Sequence, residues 1–319
     1  MIVANCQHEN CIKRGKDRKG NQRMKCTDCG KFFVAESARP LGDMRISMKQ
    51  ATLALGMILE GMSIRATERL TGLHRDTICD LVLLAGENCE RLLDAKIKNV
   101  AASDIQVDEI WSFVAMKEKT RAPRGKSPVD FGDSWTFIGI ERDTKLILAH
   151  KVGNRDSDTC WAFLMKLKNA VGTGRFQLTT DGLKAYTNNV PFAFQSQVDF
   201  AQLIKNYSST QETTRYSPAT ITGIEKLPIF GDPDEYRIST SHIERMNLSV
   251  RMQLRRFTRL TNGHSKSLKH HIAMQALYFA WYNFCRGHET LKGATPAMAS
   301  KLTDKAWTIK ELLENAAEC

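Results

Sequence analysis

Three acidic residues carry the most chemistry in this chain of 319 residues. Asp108 lies inside the apolar run Ile105–Val114. Asp181 directly follows a second apolar run, Phe176–Thr180, and precedes Gly182. Glu244 sits near the start of a helical, strongly basic segment. An isolated carboxylate in an apolar strand is costly unless it is paired or binds a metal. Carboxylates converging from two strands and a helix can hold two Mg²⁺ or Mn²⁺ ions, which take oxygen ligands and assist displacement at phosphorus. Singly, each acid reads as a strand-end or surface residue; the three in this order read as one metal site. Arg251 follows Glu244 by two helical turns and falls on the same face, offset by about 20°, which suits a metal ligand and a phosphate clamp. Glu109 should leave the opposite face of its strand, away from the metals. Should Glu244 not be the third ligand, Glu225, Asp234 and Glu235 come next.

The elements that must position these acids follow from periodicity. Ile105–Phe113, Trp135–Ile140 and Lys145–Val152 read as strands, the last two joined by a short turn at Arg142–Thr144. Asp156 and Ser157 can cap a helix carrying Trp161, Phe163, Leu164 and Leu167. Phe176–Thr180 is a fourth strand, a short helix runs through Tyr186, and Val198–Ile204 is a fifth strand. Three antiparallel strands followed by helix-linked parallel ones is the order of an α/β, RNase H-like domain. It is expected over residues 101–300. An insertion at about 206–241, without periodicity, reads as a substrate-facing segment or a floppy connector, and 301–319 is a C-terminal tail. Ser241 would cap the helix that carries Glu244.

Two smaller modules precede this body. Residues 1–40 hold Cys6, Cys11, Cys26 and Cys29, two knuckles spaced as in a zinc ribbon, with Lys19–Asn21 as a hairpin tip between short strands. His8 could replace Cys6 as a ligand. So few large apolar side chains could hardly hold this segment without structural Zn²⁺. Residues 41–100 turn helical, with Leu53, Gly56, Met57 and Glu60 at helical spacing. Ser63–Ile78 reads as a helix-turn-helix with its turn at Gly72 and with Ile78, Leu81 and Val82 inward. His74, Arg75, Asp76 and Thr77 then begin the helix that meets base edges. Glu68 stands where such motifs usually pack a small residue. A plain helical hairpin is the competing reading.

The net charge of +11 points to a polyanionic partner. Basic residues crowd two zones, Lys13 to Lys31 and Arg237 to Lys269, and Glu244 is the only acid in the second. Arg255, Arg256 and Arg259 should meet phosphates there. No apolar run approaches a membrane span, and nine cysteines suit metal binding in a reducing compartment. A cytoplasmic protein that binds double-stranded DNA as a homo-oligomer is expected.

Several blocks together resemble the DDE transposases of the insertion-sequence-1 type. They are Val107-Asp-Glu-Ile-Trp-Ser-Phe-Val114, Thr180-Asp-Gly-Leu-Lys-Ala-Tyr186, Thr240-Ser-His-Ile-Glu-Arg-Met-Asn-Leu248 and Arg255-Arg-Phe-Thr-Arg-Leu-Thr-Asn262. Tyr282-Asn-Phe-Cys-Arg-Gly-His288 with Thr295-Pro296 is similar to the tail of many transposases and integrases. The resemblance implies Mg²⁺-dependent cutting and joining of DNA and recognition of terminal inverted repeats. It implies Asp108, Asp181 and Glu244 as the acids, with Arg251, His242 and His288 as neighbours. A hydrolytic nuclease of the same fold and a non-catalytic DNA-binding derivative are the alternatives.

Overall fold

The computed structural model describes residues 10–16, 22–34, 39–124, 130–207, 221–258 and 261–319. Strand β4 (Asp104–Val114) is buried on both faces because helices cover both. Its neighbours are β5 (Gly132–Glu141) and β6 (Ile147–Gly153), then β7 (Phe176–Thr180), β8 (Val198–Tyr207) and β9 (Ile221–Phe230). They form one six-stranded sheet in the order β6-β5-β4-β7-β8-β9. Pairing is antiparallel from β6 to β4, parallel from β4 through β7 to β8, and antiparallel again at β9. The mixed α/β sheet is consistent with an RNase H-like domain. β9 departs from expectation. The stretch read as an aperiodic insertion contains an edge strand, whose mostly exposed side chains left no alternating signal.

Helices α5 (Ser157–Ala170) and α6 (Lys184–Phe194) cover one face of the sheet, where Phe137 of β5 meets Phe163 and Tyr186. Asp156 caps α5 as the sequence predicts, accepting from the Thr159 N–H. On the opposite face lie α7 (Ser241–Gln253) and α8 (Leu268–Phe284). α8 is buried nearly all round and also closes the outer strand. The Asn283 side chain accepts from the Ile147 N–H and donates to its carbonyl, blunting that edge.

The polypeptide before the sheet forms α1 (Met48–Leu59), α2 (Ile64–Thr71) and α3 (Arg75–Lys96). Gly72 ends α2 at φ 70°, the turn the sequence predicts, and Ile78, Leu81 and Val82 point inward. The buried stripe of α1 is Ala51, Ala54, Leu55, Ile58 and Leu59, whereas Leu53 is exposed. The Glu68 carboxylate accepts from the Arg75 N–H at 3.0 Å and so helps cap α3. A short helix α4 (Glu118–Arg121) precedes β5. After α8 come α9 (Pro296–Ala299), capped by Thr295, and α10 (Ile309–Ala317). Residues 301–319, read as a tail, thus include a helix. Its Leu312, Leu313 and Ala316 join the main core, and it packs on α1 and α3.

At the N-terminus β1 (Cys11–Lys16), β2 (Gln22–Cys26) and β3 (Phe32–Val34) make a separate three-stranded sheet. The predicted hairpin tip at Lys19–Asn21 lies outside the described residues.

The start of α7 is capped by a side chain of the sheet. The cap residue Thr240 makes no side-chain bond to the helix N–H groups, and Ser241, expected as the cap, is the first helical residue. Gln106 of β4 supplies the cap instead, accepting from His242 N–H at 2.9 Å and Ile243 N–H at 3.2 Å. Gln106→Leu should therefore cost about 1 kcal/mol and lower the melting temperature by about 2 °C. Calorimetry checks this, and an unchanged Tm would show that α7 needs no cap from the sheet.

Candidate active site

β4 and β7 run parallel with Asp104, Ile105 and Gln106 beside Gln177, Leu178 and Thr179. Continuing that register by two residues brings Asp181 alongside Asp108. β7 has ended there, so Asp181 is free to turn: its Oδ1 accepts from the Leu183 N–H at 2.9 Å, just ahead of α6. Gln202 of β8 holds the same turn by donating to the Asp181 carbonyl at 2.8 Å. Asp108 faces α7, where Asn247 donates to its Oδ2 at 2.8 Å.

Glu109 corrects the sequence reading. It does leave the opposite face of β4 and takes a hydrogen bond from the Tyr186 hydroxyl of α6. Its carboxylate nevertheless belongs to the cluster: one oxygen each from Asp108, Glu109 and Asp181 lie within 4.8 Å of one another. Alternation sends the two side chains apart, but beyond the end of β7 nothing separates the two faces. Arg155, between β6 and α5, bridges the group, donating to Glu109 at 3.1 Å and to Asp181 at 3.1 Å. Its guanidinium also stands over the Trp135 ring, 4.9 Å from the centroid.

Glu244 lines the same cleft, of about 770 Å³, but lies outside the three-carboxylate group. It pairs with Lys205 of β8 and accepts from the Thr240 hydroxyl. Arg251 and Lys184 also line the cleft. Arg155, Lys205 and Asn247 were missed from sequence, and Glu109 was named there but set away from the metals. Asn247 had a readable signal, one helical turn from Glu244 on the same face; Arg155 and Lys205 had none, because no local pattern ties them to the acids. Two expected neighbours stand elsewhere. His242 meets Lys145, and His288 packs edge-on against Tyr282.

Burial, then the Asp181 and Glu244 carboxylates, push the Asp108 carboxyl up from 3.8 to about 6. Burial and then Asp181 push Glu109 up from 4.5 to about 8. Such acids favour the folded state when protonated. That contribution is full at low pH and is lost as pH rises through about 6 for Asp108 and about 8 for Glu109. Asp108→Asn should therefore stabilise the metal-free protein by about 3 kcal/mol at pH 8 and by about half as much at pH 5. Denaturant titration in a chelator at both pH values checks this; equal effects would show that Asp108 is not held as a crowded anion.

The other predicted residues are placed as follows. Cys11 and Cys26 stand opposite each other across β1 and β2, and Cys29 follows in the turn. The Cys11 thiol is raised by desolvation first and then by Cys26, Asp28 and Cys29. Cys6 and His8 lie outside the described residues. His74 caps α3 through its ring, accepting from the Asp76 N–H; His74 and Arg75 are exposed and Thr77 is half-buried. Arg255 is exposed, Arg256 is largely enclosed, and Arg259 is outside the described residues.

No protein-family model and no curated protein matches the chain. Among solved structures it is similar to a piggyBac transposase synaptic complex with hairpin DNA, at a TM-score of 0.38 and 10% identity, over 86% of this chain and 71% of that one. A superposition that loose fixes neither fold nor function. No described helix is long and apolar enough to cross a membrane.

Proposed function

We propose that the chain is a DNA strand transferase, a transposase of the DDE kind resembling the insertion-sequence-1 type. It would cut DNA at the ends of a mobile segment and join the freed 3′-hydroxyl to a target. The observation that carries this is the group of carboxylate oxygens from Asp108, Glu109 and Asp181 at the floor of a cleft rimmed by Lys184, Lys205 and Arg251.

The donor set fits hard divalent cations. It is all oxygen, its members repel one another, and burial has raised two of them, an arrangement that added positive charge relieves. Asp108, Asp181 and Glu244, with Glu109 beside them, would hold two Mg²⁺ or Mn²⁺ ions. When bound, such ions stabilise the charge on attacking and leaving oxygens in an in-line displacement at phosphorus. The protein's own share is positional. Asn247 fixes the rotamer of Asp108, Arg155 ties Asp181 to Glu109, and Tyr186 holds Glu109. Lys184, Lys205 and Arg251 would carry the phosphate backbone. The helix-turn-helix and the basic N-terminal sheet would bind the DNA ends, and several copies would assemble on them.

Strand transfer from a pre-cleaved DNA end into a plasmid tests the reading. Joined product is expected; release without joining would indicate a hydrolytic nuclease, and neither would leave a DNA-binding protein. We also propose that Cys6, Cys11, Cys26 and Cys29 hold a structural zinc. Elemental analysis should find about one Zn²⁺ per chain, and metal-free protein with an ordered N-terminal sheet would contradict it.

A further inference from the structure

A second cavity, of about 510 Å³, opens between the α1–α2 turn, the start of α3 and the segment joining α7 to α8. Ile58, Leu254 and Met274 give it an apolar wall, Arg65, Arg256 and Lys266 give it positive charge, and among the described residues no acid lines it. Arg256 is the informative member. Its Nη1 donates to the Ser265 hydroxyl at 3.2 Å, and among the described residues no carboxylate pairs with it. Enclosure pulls its pKa down to about 10, offset only by the Cys79 thiol. Of the histidines beside it, His270 and His271 are each disfavoured as cations, by desolvation first and then by Arg256; Asp80 and Glu87, which lie outside the cavity lining, oppose this at His270, and His271 is buried between Ser112 and Ser265. An enclosed cation without a counter-charge is costly, and a bound anion relieves the cost.

We infer that this cavity takes a phosphate-bearing nucleotide, its phosphate on Arg256 and its base against the apolar wall. The volume is that of a small-molecule site, and the pairing of a guanidinium fork with an apolar face matches a nucleotide rather than a bare anion. The choice of a nucleotide rests on the reading of the chain as acting on nucleic acid. The site itself is separate from the carboxylate cleft and needs no metal.

Cys79 lines the cavity and reports on it directly. In the full-length protein, alkylation of Cys79 by N-ethylmaleimide would be followed by peptide mass, with Cys319 as the exposed control. The probes are thymidine 5′-monophosphate, thymidine, inorganic phosphate and a short oligothymidylate. The nucleotide or the oligonucleotide should protect Cys79 and leave Cys319 unaffected. Protection by the mononucleotide identifies a free nucleotide as sufficient, and protection by the oligonucleotide alone identifies a strand. Arg256→Met should weaken either about 10- to 100-fold without lowering the melting temperature, and Arg256→Lys should retain part of the affinity. If the Met variant does not fold, Lys266→Met and Arg65→Met should each weaken protection in its place. Absence of protection, protection unchanged in a folded Arg256→Met protein, or equal protection by inorganic phosphate would overturn the assignment. A duplex gel-shift run alongside keeps this separate from the broader reading: retained duplex binding with no protection of Cys79 defeats only the cavity.

Discussion

Asp181→Asn should abolish cleavage and joining, by about 10³-fold or more, while leaving DNA binding intact. Asp181 is the residue that both raised acids feel, and its carboxylate is shared between the α6 turn and Arg155. The amide keeps the acceptor toward the Leu183 N–H but removes the charge on which a divalent cation depends. Asp108→Asn should be nearly as damaging, and the double variant little worse than either, because groups acting through shared metals are not additive. Binding should survive, since the exposed basic residues that would meet DNA lie outside this cluster. Strand-transfer rates beside a gel-shift with the same DNA check both halves. Activity within tenfold of wild type in Asp181→Asn would rule out the cluster as the reaction centre, and loss of binding in parallel would mark a folding defect instead.

Glu109→Gln comes second and separates what the structure says from what strand alternation says. Glu109 shares Arg155 with Asp181 and sits within ligand reach of Asp108. Its loss should weaken divalent-cation affinity or turnover about 10- to 100-fold, as for a group that orients metal ligands. The same substitution removes a buried charge, so the metal-free protein should melt higher above pH 8. Were Glu109 only a core partner of Tyr186, stability would move and metal affinity would not. Mn²⁺ titration and thermal melts on the same variant distinguish the two.

The strands that carry the acids were legible because they are buried on both sides. Ile105–Val114 and Phe176–Thr180 interleave large apolar side chains with polar ones and are buried along nearly their whole length, and an acid inside or just after such a run is conspicuous. Gly72 and the Asp156 cap were legible for local reasons, a positive φ and a side chain that serves its own helix. What escaped depends on distance along the chain. Gln106 caps a helix more than a hundred residues away, and Arg155 and Lys205 meet their acids only once the sheet exists. β9 escaped because an edge strand with exposed side chains has no alternation to read. Glu109 was misplaced because the period of two describes a strand within a sheet, and β4 outruns its neighbour β7 at that point.

The most direct measurement of the central claim is Mn²⁺ binding by the purified protein, followed by electron paramagnetic resonance between pH 5.5 and pH 8.5. Mn²⁺ must displace protons from Asp108 and Glu109, which titrate near 6 and 8 in the metal-free protein. Affinity should therefore be weak at the acid end, rise through neutrality and be competed by Mg²⁺. It should be lost in Asp181→Asn and Asp108→Asn. Binding that is absent at pH 8, or unchanged in both variants, would contradict the assignment of these carboxylates as a metal centre.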